Sequence, residues 1–153
     1  MLSVVKSLAL QGLDGRILSI EVDISCGLPC FEIVGLPDTS IKEAKERVKT
    51  AIRNTGVEFL SRRIVVNLAP ADIRKEGASL DLPIALGILI ASGEVENNYL
   101  NTFLEESIFV GELSLDGSVE KIKNSSIEEL TKISGINESL AQRILNFTNR
   151  DTH

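Results

Sequence analysis

The chain has 153 residues, 43% hydrophobic and 25% charged, which is one domain of ordinary size with enough apolar material for a core. Five Phe, one Tyr and no Trp oblige that core to be aliphatic, and the longest apolar run, Leu82 to Ala91, falls short of the roughly 20 residues a membrane span needs. A net charge of −6 argues against a protein that binds polyanions over its whole surface.

The opening "MLSVVKSLALQGLDG" has neither a basic n-region nor a small-residue cleavage site, so the cytoplasm is the expected compartment. In "RILSIEVDI", Leu18, Ile20, Val22 and Ile24 alternate with Ser19, Glu21 and Asp23, the period of a half-buried strand. With "VVKSLAL" and the turn "GLDG" before it, residues 4 to 24 read as a β-hairpin. Cys26 and Cys30 follow as C-x3-C, read as small apolar residues in or beside strands. A structural zinc site needs four ligands, and the only His is His153. "CFEIVGLPD" gives a third strand, ended by Gly35 and Pro37.

Ser40 and Glu43 have capping-box spacing and predict a helix start. Ile41, Ala44, Val48, Ala51 and Ile52 form one apolar stripe, with Lys42, Lys45, Lys49 and Arg53 off it and Gly56 placed to end the helix. "RRIVVNLAP" is a short buried strand led by Arg62 and Arg63. Residues 70 to 80 are a charged loop containing Ser79, and Asp81 is placed to cap a second helix running to Ser92. That helix is apolar on nearly every side and belongs at the centre of the core. "SIFVGELSLDGSVEKI" reads as a second hairpin turning at Leu115, Asp116 and Gly117. The expected order is β-β-β-α-β-α-β-β, a mixed α/β (α+β) domain over residues 1–123.

The character changes over residues 124–153. Ser126 and Glu129 again have capping-box spacing, and Ile127, Leu130, Ile133, Ile136, Leu140, Ala141, Ile144 and Phe147 join two short helices. An αα-hairpin of about 25 residues is too small to stand alone and must pack on the main domain or on a partner. Charge is uneven as well: Asp38 to Lys75 holds nine Lys or Arg and five Asp or Glu, while the tail holds three bases and four acids. A basic middle on an acidic chain hints at a phosphate-facing surface; a solvated helix face of mixed charge is the plainer reading.

Residues 12 to 117 resemble the N-terminal domain of the ComM/YifB, or magnesium-chelatase-like, family. The resemblance rests on "GLDG", "VDISCGLPCFEIVGLPDTSIKEAKERVKTAI", "FLSRRIVVNLAPADIRKEGASLDLPIALGILIASGEV" and "FVGELSLDG". It implies a fold like ribosomal protein S5 domain 2 and the Lon protease domain. Full-length members look like hexameric AAA+ motors that drive branch migration of recombining DNA during natural transformation. The motor module is expected after the second hairpin, where the resemblance stops. A P-loop needs G-x-x-x-x-G-K-[ST], and no Gly in this chain is followed by Lys. No nucleotide site of that type, cofactor or metal is therefore expected.

In place of a motor, "LTKISGINESLAQRIL" resembles a helix-hairpin-helix, the DNA-backbone module of UvrC-like repair proteins. Its usual Gly-hydrophobic-Gly turn reads Gly135, Ile136, Asn137 here, and Asn tolerates positive φ better than most residues. In such a module the hairpin amides and the next helix N-terminus point at a phosphate, with Lys132 and Arg143 adding charge.

Ser79 has a sharper alternative. "KEGAS" resembles the Lon stretch that carries the nucleophilic Ser, and Ser79 falls on that position. Lon-type chemistry needs a Lys base within hydrogen-bond reach; through "GELSLDGSVEKI" that position falls near Ser126, and Lys121 and Lys123 are placed differently. Ser79 is therefore expected to be a loop or capping residue, and the chain non-enzymatic.

The sequence thus points to a domain that contacts DNA through its phosphates without reading sequence, or that assembles with itself or with AAA+ relatives. The residues singled out for DNA are Arg62, Arg63 and Lys75 in the domain and Gly135, Ile136, Asn137 and Arg143 in the tail. For Arg62 and Arg63, ordinary strand-end charge is the other reading. No membrane partner is expected.

Overall fold

The structure is a computed structural model that describes residues 1–11, 14–95 and 100–120. Strands β1 (Leu2–Gln11) and β2 (Asp14–Ser25) form the expected hairpin. Their register runs from Leu2↔Asp23 to Gln11↔Asp14, so Asp14 and Gly15 of the "GLDG" stretch belong to β2 itself. β3 (Cys30–Val34) lies parallel to β4 (Arg63–Ala69), and helix α1 (Thr39–Asn54) makes the crossover that parallel strands require. β4 also pairs antiparallel with β2, which gives a four-stranded mixed sheet in the order β1-β2-β4-β3. After β4 come α2 (Asp81–Ser92), α3 (Leu100–Glu106) and the small hairpin of β5 (Glu112–Leu113) and β6 (Val119–Glu120).

The alternation in β2 buries Leu18, Ile20, Val22 and Ile24 on one face, where they meet Ile64, Val66 and Leu68 of β4. The five predicted stripe residues of α1 are the five that α1 buries. Burying Ile41, Val48 and Ile52 contributes about 1.5–3 kcal/mol each before the entropy of ordering them. α2 lies across β1 and β2 so closely that a Cβ on Gly87 would come 2.5 Å from Val22, and Ser3 Oγ donates to the Gly87 carbonyl at 2.7 Å. On the other face of the sheet Leu2, Val4, Ile17 and Val34 are exposed, while Leu8 is buried. Among the described residues, no helix is long and apolar enough to cross a membrane.

Three sequence expectations need correction. The cap of α1 is Asp38, whose carboxylate accepts from the Ile41 amide at 2.8 Å; Ser40 lies inside the first turn. Asp38 wins because its carboxylate also takes the Gly77 amide at 3.1 Å, tying the 70–80 loop to the helix start. Asp81 does not cap α2: the N-cap is Leu80, with no side-chain cap bond. The free amide of Leu82 is taken by the Gly111 carbonyl instead, at 3.0 Å. Finally, α3 has no counterpart in the expected order. Its seven residues, "LNTFLEE", are too few for a periodic signal. It packs on β1, where Lys6 Nζ donates to the Glu105 carbonyl at 2.6 Å and Phe103 meets Phe109 edge-on. The predicted tail over residues 124–153, with Gly135, Ile136, Asn137 and Arg143, lies outside the described residues.

Candidate functional site

The stripe that anchors α1 also fixes what the helix shows to solvent. With Ile41, Ala44, Val48, Ala51 and Ile52 turned inward, Lys45, Lys49 and Arg53 recur at i, i+4 and i+8 along a flank of α1. Such a row rises about 6 Å per step. It lines an open cleft of about 410 Å³ together with Phe31, Phe59 and Arg62. Phe31 comes from β3 and Phe59 from the segment between α1 and β4. Their rings tilt against each other with centroids 5.9 Å apart. Both rings are half-buried and pack on the core, so the cleft has a fixed aromatic floor. Lys45 pairs loosely with Glu32 at 3.5 Å, and Glu46 is the one carboxylate on the cleft wall. Four cations therefore face this space with little opposing charge.

Arg62 belongs to this cleft and also to a second, smaller one of about 280 Å³, bounded by Met1 and the end of α2 at Ala91 to Gly93. Leu60 and Arg62 are shared walls, so the two clefts adjoin. Arg63 is exposed but stands outside both. It sits in β4 opposite Ser25 and Cys30, with its stem 3.7 Å from where a Cβ on Gly27 would stand. The structure thus separates the two arginines that the sequence paired.

Lys75 is corrected outright. It is fully buried, and its ammonium donates to the carbonyls of Gly35, at 2.8 Å, and Pro70. Burial holds its pKa below the ordinary lysine value, against the opposing pull of Asp72. A cation enclosed in this way offers nothing to a phosphate. The cause is tertiary: residues 36–38 and 75 pair in a short parallel bridge, with the Lys75 amide on the Leu36 carbonyl and the Asp38 amide on the Lys75 carbonyl. That pairing carries the side chain under the Gly35 turn. Gly35 has φ +95°, and a Cβ there would stand 2.4 Å from the Leu68 carbonyl oxygen, so only glycine fits.

A second cation of the basic middle is also turned inward. Arg47 grips Asp81 with two bonds, Nε to Oδ2 at 2.8 Å and Nη2 to Oδ1 at 3.1 Å, and reaches the Ser40 carbonyl at 3.0 Å. Asp81 is fully buried and also accepts from the Leu113 amide at 3.3 Å. The carboxylate raises the Arg47 pKa, and the pair fastens α1, α2 and β5 together.

Ser79 is half-buried in the loop before α2, and its carbonyl accepts the Gly111 amide at 2.8 Å. Lys75, four positions earlier, is bonded to Gly35 and Pro70 and not to Ser79. Cys26 and Cys30 are free thiols, exposed and half-buried. Among the described residues no cluster of three His, Cys, Asp or Glu side chains could hold a metal. The sequence places Lys45, Lys49 and Arg53 off the core stripe without marking them as a site. Their i, i+4, i+8 spacing is the available signal; the aromatic floor has none, because Phe31 and Phe59 meet only in the fold.

The profile of the family described as Subunit ChlI of Mg-chelatase matches residues 20–149. The chain is 45% identical over 121 residues to the uncharacterized protein YifB of Escherichia coli, and 44% identical over 121 residues to the competence protein ComM of Haemophilus influenzae. It is 38% identical over 117 residues to an uncharacterized protein of Mycobacterium tuberculosis. These alignments take in 76–79% of this chain but only 22–23% of each relative, so the chain corresponds to under a quarter of their length. A ChlI match over most of the chain, with close identity to YifB and ComM, identifies it as a member of the magnesium-chelatase-like ComM/YifB family, corresponding to the family's N-terminal region.

Proposed function

We propose that this region is a non-enzymatic, cytoplasmic nucleic-acid-contacting domain, which holds DNA by its phosphates without reading sequence. The observation that carries this reading is the convergence of Lys45, Lys49, Arg53 and Arg62 on one cleft. Phosphate neutralisation by such a row supplies affinity irrespective of base sequence. Kinship with a competence protein supports it. The tail at Gly135, Ile136, Asn137 and Arg143 adds a second backbone contact in this proposal, as a unit of its own over residues 124–153. A non-enzymatic role is supported by Lys75 being engaged elsewhere than at Ser79.

The test is fluorescence anisotropy on labelled DNA across a salt series. Lys49→Glu with Arg53→Glu should weaken binding at least tenfold and make the salt slope shallower by about one unit for each phosphate no longer neutralised. Unchanged affinity in the folded double variant overturns the cleft as the binding surface. In the same assay Asn137→Pro reports on the tail.

Assembly is the second reading, favoured by Leu2, Val4, Ile17 and Val34, which are exposed on the sheet face turned away from α2. It predicts self-association, or association with AAA+ relatives, that is abolished in Val4→Lys with Ile17→Lys. Sedimentation velocity separates it from the first reading.

A further inference from the structure

The cleft holds more than a duplex backbone would use. Phosphate tracking needs only a row of cations; here Lys45, Lys49, Arg53 and Arg62 line the same cleft as Phe31 and Phe59. Duplex DNA keeps its bases stacked inside and would leave that aromatic pair unused, whereas an unpaired base has a free π-face to lay on it.

We propose, resting on the nucleic-acid reading above, that the cleft is a subsite for single-stranded nucleic acid, in which an unstacked base lies on the Phe31–Phe59 pair while the adjoining phosphates run along Lys45, Lys49 and Arg53. Three features of the site support this. The rings are tilted 33° to each other at 5.9 Å and are fixed by the core behind them, so the platform exists before a ligand arrives and costs little ordering on binding. The cationic row spans two helical turns, about 12 Å, which is longer than one mononucleotide's phosphate can use and suits successive phosphates of an extended strand. Arg62 lines both this cleft and the adjoining one beside Met1, so positive charge continues from one to the other along the proposed path of the strand.

The chemistry shared by a free nucleotide and a strand is a base carrying a phosphate, and the row length favours the strand. The experiment uses the full chain with four probes: short oligothymidylate, an abasic strand of equal length, duplex of the same length, and thymidine monophosphate. Oligothymidylate should bind more tightly than the abasic strand, the duplex or the mononucleotide. Phe59→Leu, which keeps an apolar side chain against the core, should weaken oligothymidylate about fivefold or more and leave the abasic strand unchanged. Phe59→Trp should keep strand affinity. Because the chain has no other Trp, its fluorescence should be quenched by oligothymidylate and not by the abasic strand.

Equal binding of oligothymidylate and abasic strand, with no quenching of the tryptophan, overturns the base subsite while leaving backbone binding standing. Tightest binding of the mononucleotide, or of duplex, overturns it in favour of a nucleotide pocket or a duplex groove. Failure of all four probes at low salt overturns both readings at once, and capture of an acidic peptide in their place would reassign the cleft.

Discussion

Nine cations lie between Asp38 and Lys75, and the fold sorts several of them into two populations. Lys45, Lys49, Arg53 and Arg62 line an open cleft. Arg47 and Lys75 turn inward, one onto a buried carboxylate and the other onto two backbone carbonyls. Arg47 stands two residues from the outward Lys45 and Lys49, and its planar guanidinium suits the two-bond pairing with Asp81 better than an ammonium would. Positive charge in a sequence therefore indicates a binding surface only after the inward group has been removed. The inward cations should affect stability and leave binding alone, and the outward ones the reverse.

The largest effect should come from Arg47→Met. It leaves the buried Asp81 carboxylate with, among the described residues, the Leu113 amide as its remaining donor. Breaking a buried pair by removing one partner costs about 3–5 kcal/mol. Arg47 itself keeps 22% of its side chain exposed, which places the expectation at the lower end. Urea unfolding at neutral pH measures it. A destabilisation below about 1 kcal/mol, the range of surface pairs, would show that the pair is solvated and the sorting wrong.

Lys75→Met is expected to cost less, about 1–2 kcal/mol. It leaves the Gly35 and Pro70 carbonyls without their donor but relieves the desolvation of the ammonium. The pH dependence carries the sharper information. Burial lowers the Lys75 pKa in the folded state, so between that value and the unfolded value of about 10.4 the unfolded chain binds the extra proton. Stability from this group therefore rises with pH across that window and is flat below it. The advantage of wild type over Lys75→Met should grow from neutral to alkaline pH; a flat advantage would place the ammonium in water, and one that shrinks would mean that the two carbonyls hold the charged form more strongly than burial opposes it. In either case polyanion affinity of the folded variant should stay within about twofold of wild type, unlike the weakening expected in the cleft double variant.

What can be read from the sequence follows the length of the pattern. β2 shows its alternation over nine residues and α1 its stripe over twelve, and the core faces of both are legible to the residue. α2 ends at Ser92 as expected, closed by Gly93 in the left-handed conformation at φ 82°, but its start is less legible, since Leu80 and not the expected Asp81 is the cap. The family motifs are long enough to identify the chain. The site is less legible because its parts are remote in sequence. Phe31 and Phe59 come together through the crossover between β3 and β4, and Lys75 reaches Gly35 across forty positions. No local window contains either fact. Arg62 and Arg63, adjacent in sequence, end at different places because one lines the clefts and the other follows the strand.

The smallest effect separates two caps that the sequence alone does not rank. Ser40 with Glu43 has the spacing of a capping box, yet Asp38 holds the Ile41 amide and the Gly77 amide together. Asp38→Ala should therefore cost about 1–2 kcal/mol, the upper part of the range for removal of an N-cap, because a second amide loses its acceptor with it. Ser40→Ala should be nearly neutral, since the bond Ser40 makes to Arg47 is through its carbonyl and survives the change. The two regions meet at this residue: Asp38 starts the helix that carries the outward cations, and through Gly77 it secures the loop that encloses Lys75. If that coupling is real, Asp38→Ala should also raise amide hydrogen exchange in residues 74–77 as well as at the start of α1. Faster exchange at the helix start alone would make Asp38 an ordinary cap, and the burial of Lys75 would then rest on the bridge to Leu36 and Asp38 backbone and on the Gly35 turn.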